Sequence, residues 1–399
     1  MTALKTAEAA TERRPSAPIL SAVRMRVNGV DEGSIAFEAN DLDVQITSRI
    51  PAPEGGTKVG GDWLIAQPMA LRSVLGRCNS KMIVIEADGK DKGRLNVTAG
   101  DQSVSVTGLD MNPDDFPAMV PGDLGKRMMV GASFAAALQR LLPAVSTEET
   151  RYYLNGIAIR HLGDWAFRLA ATDGHRLHIA QVEIPDAVGP FWDGDAIISR
   201  HTLARLMPLL QGAKEGGGIA FWSPPPRNSV EGTAPEPDAK PGMPSRVQFA
   251  TDDALMTAKL IDGTFLDVMR VVPGAAAAWL EVDRAALIRA VQTAGDAMPG
   301  QKERCVKLVL GEDGRCAVSS TAELRDGISA TTVIDAQSFA IGPGIHAAFR
   351  SSYLIDALNA FGGGRVRLSW PDGAIHSHPC RIDDPADDKF LVVVMSMRI

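Results

Sequence analysis

Residues 151–178 read RYYLNGIAIRHLGDWAFRLAATDGHRLH, and the pattern of this stretch decides how the chain is to be folded. Arg151, Tyr152 and Tyr153 lead into Leu154-Asn155-Gly156. An alternating run with Ile157 and Ile159 follows, then a Gly163-Asp164 turn, then a second run through Trp165, Phe167, Leu169 and Ala171. Successive strand side chains point to opposite faces, so two period-two runs about a glycine-containing turn predict a β-hairpin. The hairpin ends at Thr172-Asp173-Gly174-His175-Arg176-Leu177, where polar side chains crowd onto a strand end. Function is expected to concentrate there. Asp173 beside His175 invites a catalytic reading, with the carboxylate orienting the imidazole. The plainer reading is a turn that Asp173 caps and Gly174 permits through its backbone freedom. A base needs a nucleophile within hydrogen-bond reach, and no Gly-x-Ser-x-Gly elbow occurs, so the turn reading is preferred.

Outward from the hairpin the chain repeats itself. A helix is expected over residues 4–12, strands at Ile19-Leu20, 23–27, 35–39 and 42–46, then a strand–helix unit over 61–79 with Met69, Leu71, Val74 and Leu75 as its apolar positions. Strands at 82–86, 94–98 and 103–107 close the first round. A second round has a helix at 133–145, the hairpin, and strand then helix over 195–214, where Leu203, Leu206, Met207 and Leu210 make one buried stripe. Strands at 219–222 and 246–260 end it. The third has a helix from Asp283 to about Ala297, strands at 306–310, 316–319 and 328–334, strand and helix over 346–361, and strands at 366–370 and 390–397. The matching strand–helix units lie roughly 130 to 150 residues apart, which means repeated domains and not a solenoid of short repeats. Each should be α+β, with two helices packed on antiparallel sheet. The boundaries fall at 1–126, 127–273 and 274–399. Residues 224–244, PPPRNSVEGTAPEPDAKPGMP, are nearly free of apolar side chains and read as an exposed insertion in the second domain.

With 399 residues the chain is too long for one ordinary core. The first fourteen residues carry five charges and no apolar core, so no signal peptide is expected, and no apolar run would span a bilayer; the expected location is the cytoplasm. Cys78, Cys305, Cys316 and Cys380 form no C-x-x-C pair. His376-x-His378-x-Cys380 is the one metal-like cluster, but Pro379 interrupts it and it is read as an edge segment; neither metal nor cofactor is expected.

The net charge of −7 argues on its face against a nucleic-acid partner, yet the charges are segregated. Residues 71–81 carry Arg72, Arg77 and Lys81 and residues 199–214 carry Arg200, Arg205 and Lys214, both without an acid, whereas residues 110–123 and 383–388 hold eight aspartates and no base. Two equivalent helices lacking acids point to a shared basic surface facing phosphates. The third equivalent is weaker, since Arg350 is offset by Asp356.

Four motifs in order, 151–156 (RYYLNG), 171–177 (ATDGHRL), 259–265 (KLIDGTF) and 393–399 (VVMSMRI), resemble those of the bacterial β sliding clamp family, the processivity subunits of DNA polymerase III. With the threefold pattern, the resemblance covers essentially the whole chain. It implies the DNA clamp fold: three domains per chain, in a head-to-tail homodimer that closes into a ring around duplex DNA and tethers a polymerase. Such a clamp is not an enzyme. A cationic lining would attract phosphates without reading bases, while an acidic outside repels unproductive contacts.

The resemblance also implies a pocket that receives a short linear motif carried by the DNA polymerase III α subunit, the clamp loader, other polymerases and repair proteins. Its residues here would be Arg151, Leu154, Thr172, Gly174, His175, Arg176, Leu177, Leu266, Arg270, Val271, Arg350, Tyr353, Val393, Val394, Met395, Ser396, Met397 and Arg398. Leu266 and Ser396 stand where the family usually has proline. Residues expected to face double-stranded DNA are Arg14, Arg72, Arg77, Tyr152, Tyr153, Arg200 and Arg205. The ring contact is expected at Val104 and Val106 against Ala297 and Met298. The family usually has a strand before the first helix, and here Met1 stands essentially at that helix. A clamp-like scaffold that binds partners without loading on DNA, and a His/Asp hydrolase, are the competing readings.

Overall fold

The computed structural model describes residues 1–12, 14–27, 33–51, 60–78, 80, 82–87, 94–119, 128–185, 194–213, 217–222, 244–274, 276–298, 304–321, 328–342, 344–371, 375 and 378–398. The reading of 224–244 as an insertion lies outside these residues except at Pro244. Among the described residues the chain is α+β, with helices α1 (Thr2–Glu8), α2 (Pro68–Leu75), α3 (Ala132–Leu141), α4 (Arg200–Gly212), α5 (Arg284–Asp296) and α6 (Ser351–Asn359). All paired strands run antiparallel. The chain forms two compact units, one of Met1–Ala135, Ile184–Asp193 and His201–Leu260, the other of Ala136–Glu183, Gly194–Arg200 and Ile261–Ile399.

In the first unit an eight-stranded sheet runs in the order Gly61–Ile65, Val23–Val27, Ser34–Asn40, Val44–Pro51, Ala254–Lys259, Arg246–Ala250, Gly217–Trp222 and Met128–Val130. Val23, Met25, Phe37, Ala39, Val44 and Ile46 on one face are all in the core, and Glu38, Asn40 and Thr47 on the other are buried too. Helix α1 lays Ala3, Leu4 and Ala7 on this sheet and packs against α2. A tight turn joins Ser34–Asn40 to Val44–Pro51. Leu42 takes φ +72° there, and Asp41 Oδ1 accepts from Val44 N at 2.7 Å. A separate three-stranded sheet is made by Val84–Ala87, Arg94–Ala99 and Gln102–Thr107.

The second unit holds a twelve-stranded sheet. Its order is Ala196–Ser199, Gly156–Gly163, Ala166–Thr172, Arg176–Glu183, Asp387–Val394, Cys380–Asp384, Arg365–Trp370, Ala278–Asp283, Thr331–Phe339, Arg315–Ser320, Cys305–Leu310 and His346–Arg350. The expected hairpin is there, with Asp164 at φ +46° and Gly163 at φ +113° forming its turn. The middle of the chain is zipped to its end, Leu177 pairing with Val393. Helix α5 begins where Asp283 Oδ1 accepts from Ala286 N at 2.7 Å, an N-cap that satisfies one orphan donor. It buries Leu287, Ala290, Val291 and Ala294 and packs against α6.

Several expectations need correction. Ile19 and Leu20 lie in a 3-10 turn (Pro18–Ser21), because Pro18 favours helical entry; both are buried all the same. On α2 only Leu71 and Leu75 of the four apolar positions are buried, while Met69 and Val74 are exposed. The last strand stops at Val394, and Cys380–Asp384 is a strand the sequence reading missed. It has neighbours on both sides, so Cys380 does not belong to an edge: Pro379 stands just before the strand, where its missing N–H costs nothing.

Candidate functional site

The strand-end turn at 172–177 is built by its own polar side chains. Asp173 Oδ1 accepts from the backbone N–H of His175 at 2.9 Å and of Arg176 at 3.0 Å, and Asp173 Oδ2 accepts from Arg176 Nε at 3.1 Å. Thr172 Oγ1 accepts from Gly174 N at 3.1 Å and donates to Arg176 O at 2.7 Å. Gly174 sits at φ +89°, and a Cβ there would lie 2.7 Å from Arg151 Nη1, so glycine serves both conformation and close approach. These bonds occupy both Asp173 oxygens, which answers the catalytic reading of the Asp173-His175 pair: the carboxylate holds a turn.

Arg176 is the hub. Its side chain is only 9% exposed, and Nη1 donates to Asp356 Oδ2 at 2.5 Å while Nη2 donates to Pro143 O. Its guanidinium lies 4.5 Å from the centre of the Tyr353 ring, and that of Arg350 lies 4.7 Å from the same ring. His175 stacks on Tyr353 with centroids 5.9 Å apart and planes 22° from parallel. Asp356 therefore pairs with Arg176 from the 172–177 turn; the sequence reading had set it against Arg350 alone.

Below this polar rim lies an apolar floor. Leu154, Leu177, Ile197, Phe265, Val268 and Val393 form a buried cluster, with Leu266 and Tyr153 packed against it and partly exposed. Fully burying each such side chain is worth about 1.5–3 kcal/mol, enough to hold the 261–272 segment onto the sheet. Val394 is fully buried, because strand alternation turns it away from Val393 to the other face. The rim beyond Leu266 is open to solvent. Val271 is exposed, and Arg270, with a side chain 86% exposed, has Asp267 at 3.3 Å. Arg151, in a 3-10 turn (Glu149–Leu154), donates to Glu148 Oε2 at 2.8 Å, and this partner holds its guanidinium above its ordinary pKa.

The tail after Val394 is tacked down at three points. Met395 N donates to His175 O at 3.0 Å, Met397 N to Ala348 O at 2.8 Å, and Ser396 Oγ to His378 O at 2.7 Å. Met395 is left exposed beside His175, and Arg398 is exposed. Behind the turn, His178 is fully buried, donating through Nδ1 to Arg140 O at 2.8 Å with Nε2 unpartnered. Burial outweighs that bond and pushes the imidazole down to about 4.

The residues expected to face DNA divide. Arg14, Arg77, Arg200 and Tyr152 are exposed. Arg72 is not a bare cation: it donates to Glu8 Oε2 at 2.7 Å and Oε1 at 3.3 Å, and this pairing raises its pKa. Arg205 reaches Asp41 Oδ2 at 2.9 Å, and His201 Nε2 donates to the same oxygen at 2.6 Å. Burial pushes the Asp41 carboxyl up, but the bonds from His201 and Val44 N with the Arg205 charge prevail and hold it below the usual range. The acids missing from α2 and α4 are thus supplied by α1 and a distant turn. Tyr153 packs on the floor cluster and meets Tyr152 edge-on at 5.9 Å.

Of the four residues expected at the ring contact, three have buried side chains. Met298 is 1% exposed and Ala297 and Val106 are also buried, leaving Val104 half-buried. On the Gln102–Thr107 strand it is Ser103, Ser105 and Thr107 that face outward. Of the metal-like cluster, His376 lies outside the described residues, and the Cys380 thiol is fully buried, which pushes its pKa well up.

The chain matches the DNA polymerase III beta subunit, central domain, over residues 129–267 and the C-terminal domain over residues 269–398. It is 28% identical over 404 residues to a beta sliding clamp of Caulobacter vibrioides, covering 100% of this chain and 97% of that one. To the beta sliding clamp of Escherichia coli it is 25% identical over 402 residues, covering 97% and 94%. Among solved structures, the DNA polymerase sliding clamp of Caulobacter crescentus superposes with a TM-score of 0.82 at 26% identity, covering 100% and 97%. A Bartonella birtlesii sliding clamp bound to griselimycin gives 0.82 at 26%, covering 100% and 96%.

Proposed function

The chain belongs to the family of bacterial DNA polymerase III β subunits and is a DNA sliding clamp, a non-catalytic subunit of replication; on that premise we propose that it receives partner proteins at the 172–177 turn and encircles duplex DNA as a homodimeric ring. The observation that carries the first part is the meeting of a prebuilt polar turn with an apolar floor at Leu154, Leu177 and Leu266. An extended peptide can bury leucine-like side chains on that floor and set its main chain against the rim. Met395 and the exposed Val271 supply adaptable apolar edges, which suits a surface that serves several partners. Those partners are the DNA polymerase III α subunit, the clamp loader, and other polymerases and repair proteins carrying the same motif. The griselimycin-bound relative supports a ligand site in this family.

On the DNA side, three domains per chain (1–126, 127–273 and 274–399), doubled, hold the duplex by enclosure. Arg14, Arg77 and Arg200 present charge to phosphates, while Arg72 and Arg205 contribute less because each shares its charge with an acid. Binding is sequence-independent and the protein works in the cytoplasm with the DNA. The ring closes through the open edge of the Gln102–Thr107 strand, by main-chain pairing more than by side-chain burial. A contact so poor in buried apolar area dissociates readily, and sedimentation at nanomolar concentration showing only intact dimer contradicts it. For the peptide site the test is titration with a peptide copied from the clamp-binding motif of the α subunit of the same organism. His175→Ala should lose peptide binding and keep the dimer; unchanged affinity refutes the site. For the ring, retention on circular but not linear DNA after loading is expected, and loss from both leaves a scaffold that does not load.

A further inference from the structure

We propose that the groove between the C-terminal ends of α3 and α6 is a second subsite for the partner peptide, taking residues that flank the motif held at the 172–177 turn. The inference rests on the peptide-site reading above and deepens it. The groove has a volume of about 440 Å³, the size of a few side chains, and lies wholly within the second unit. Its apolar lining comes from Ala136, Pro143 and Phe361. Gln139 and Asn359, exposed on the two helices, offer both amide donors and carbonyl acceptors, and Asp356 stands half-buried on the rim.

The groove is tied to the peptide site by the bonds of one side chain. The Arg176 guanidinium bonds two groove residues, Asp356 and the Pro143 carbonyl, while stacking on Tyr353, which carries His175 on its ring. Arg176 thus reaches from the 172–177 turn to Asp356 and Pro143 of the groove, which places the groove beside the peptide site. Carboxamides that can both donate and accept suit a peptide main chain, whose N–H and C=O groups both need partners. Asp356 is already paired with Arg176 and the Arg140 side chain also lines the groove, so its polar lining sets no preference for an acidic or a basic flanking residue.

The test compares, on the full-length protein, the short α-subunit motif peptide with the same peptide extended by its natural flanking residues at either end. One of the two extensions should tighten binding about tenfold, as expected from burying one further apolar side chain. Ala136→Trp fills the groove from an exposed helix position, and Gln139→Ala with Asn359→Ala removes its amides. Both variants should return the extended peptide to the short peptide's affinity and leave the short peptide untouched. Binding of the short peptide with no gain from either extension overturns the subsite alone, as does a gain that survives both variants. Failure of the short peptide to bind takes down the site at the 172–177 turn and this subsite with it.

Discussion

Two arginines border the proposed peptide site, and the chain treats them in opposite ways. Arg176 is 9% exposed, held by Asp173, Asp356 and the Pro143 carbonyl and stacked on Tyr353. Arg270 is 86% exposed beside a single carboxylate, Asp267, on a short turn (Val268–Arg270). One side of the site is therefore preorganised, its entropy already spent in folding, while the other orders when something binds. A fixed wall sets register; a loose one accommodates different sequences.

The sharpest way to break this contrast is Arg176→Met, which keeps the apolar stem and removes the cation that bonds Asp173, Asp356 and the Pro143 carbonyl. Stability should fall by about 3–4 kcal/mol in denaturant unfolding, and peptide affinity with it. A loss below 1 kcal/mol means that the wall is not fixed by this side chain. Next is His178, two residues on and facing the core. Its folded pKa, about 4, lies below that of an unfolded histidine, so the unfolded state binds the proton first. Stability is full above pH 6.5 and falls as pH drops from there towards 4, by a loss on the order of 2–3 kcal/mol. His178→Phe should flatten that window, and a wild-type profile that is flat there contradicts the assignment. Gly174→Ala forces a side chain into φ +89° against the Arg151 guanidinium; about 1–2 kcal/mol of stability should go, with a modest loss of peptide affinity. Arg270→Ala should leave stability within about 0.5 kcal/mol and weaken peptide binding only a few-fold, mostly at low salt. An effect as large as that of Arg176→Met erases the contrast altogether.

Periodicity made much of this legible from the residues. The hairpin, the α4 stripe (buried at Leu203, Leu206 and Met207, only partly at Leu210) and the 172–177 turn are local patterns whose spacing determines their geometry. Pairings across long separations were not. Glu8 and Arg72 are 64 residues apart and Asp41 and His201 160 apart, so counting acids within a helix could not reveal that Arg72 and Arg205 are partnered. Met69 and Val74 were misjudged because α2 buries a narrower stripe than its apolar content suggests. Val106 and Met298, placed at the ring contact by resemblance, have buried side chains, because resemblance carries over a position and not the way its side chain packs. Arg176, Tyr353 and His175, grouped from the sequence, do meet in space, but the sequence did not reveal the carboxylate of Asp356 that ties one segment to the other.

The pairing of the Arg176–Glu183 strand with Asp387–Val394 brings together residues more than 200 positions apart, from Arg176 opposite Val394 to the Lys389–Glu183 bond. During synthesis the ribosome must therefore make the whole remaining half of the protein while that strand edge stands bare. Nascent chains at this stage expose unpaired N–H and C=O groups beside Leu177 and Ile179, a template for sticking to neighbours. Yield in the cell should thus depend on chaperone supply and growth temperature more than the finished fold's stability would indicate.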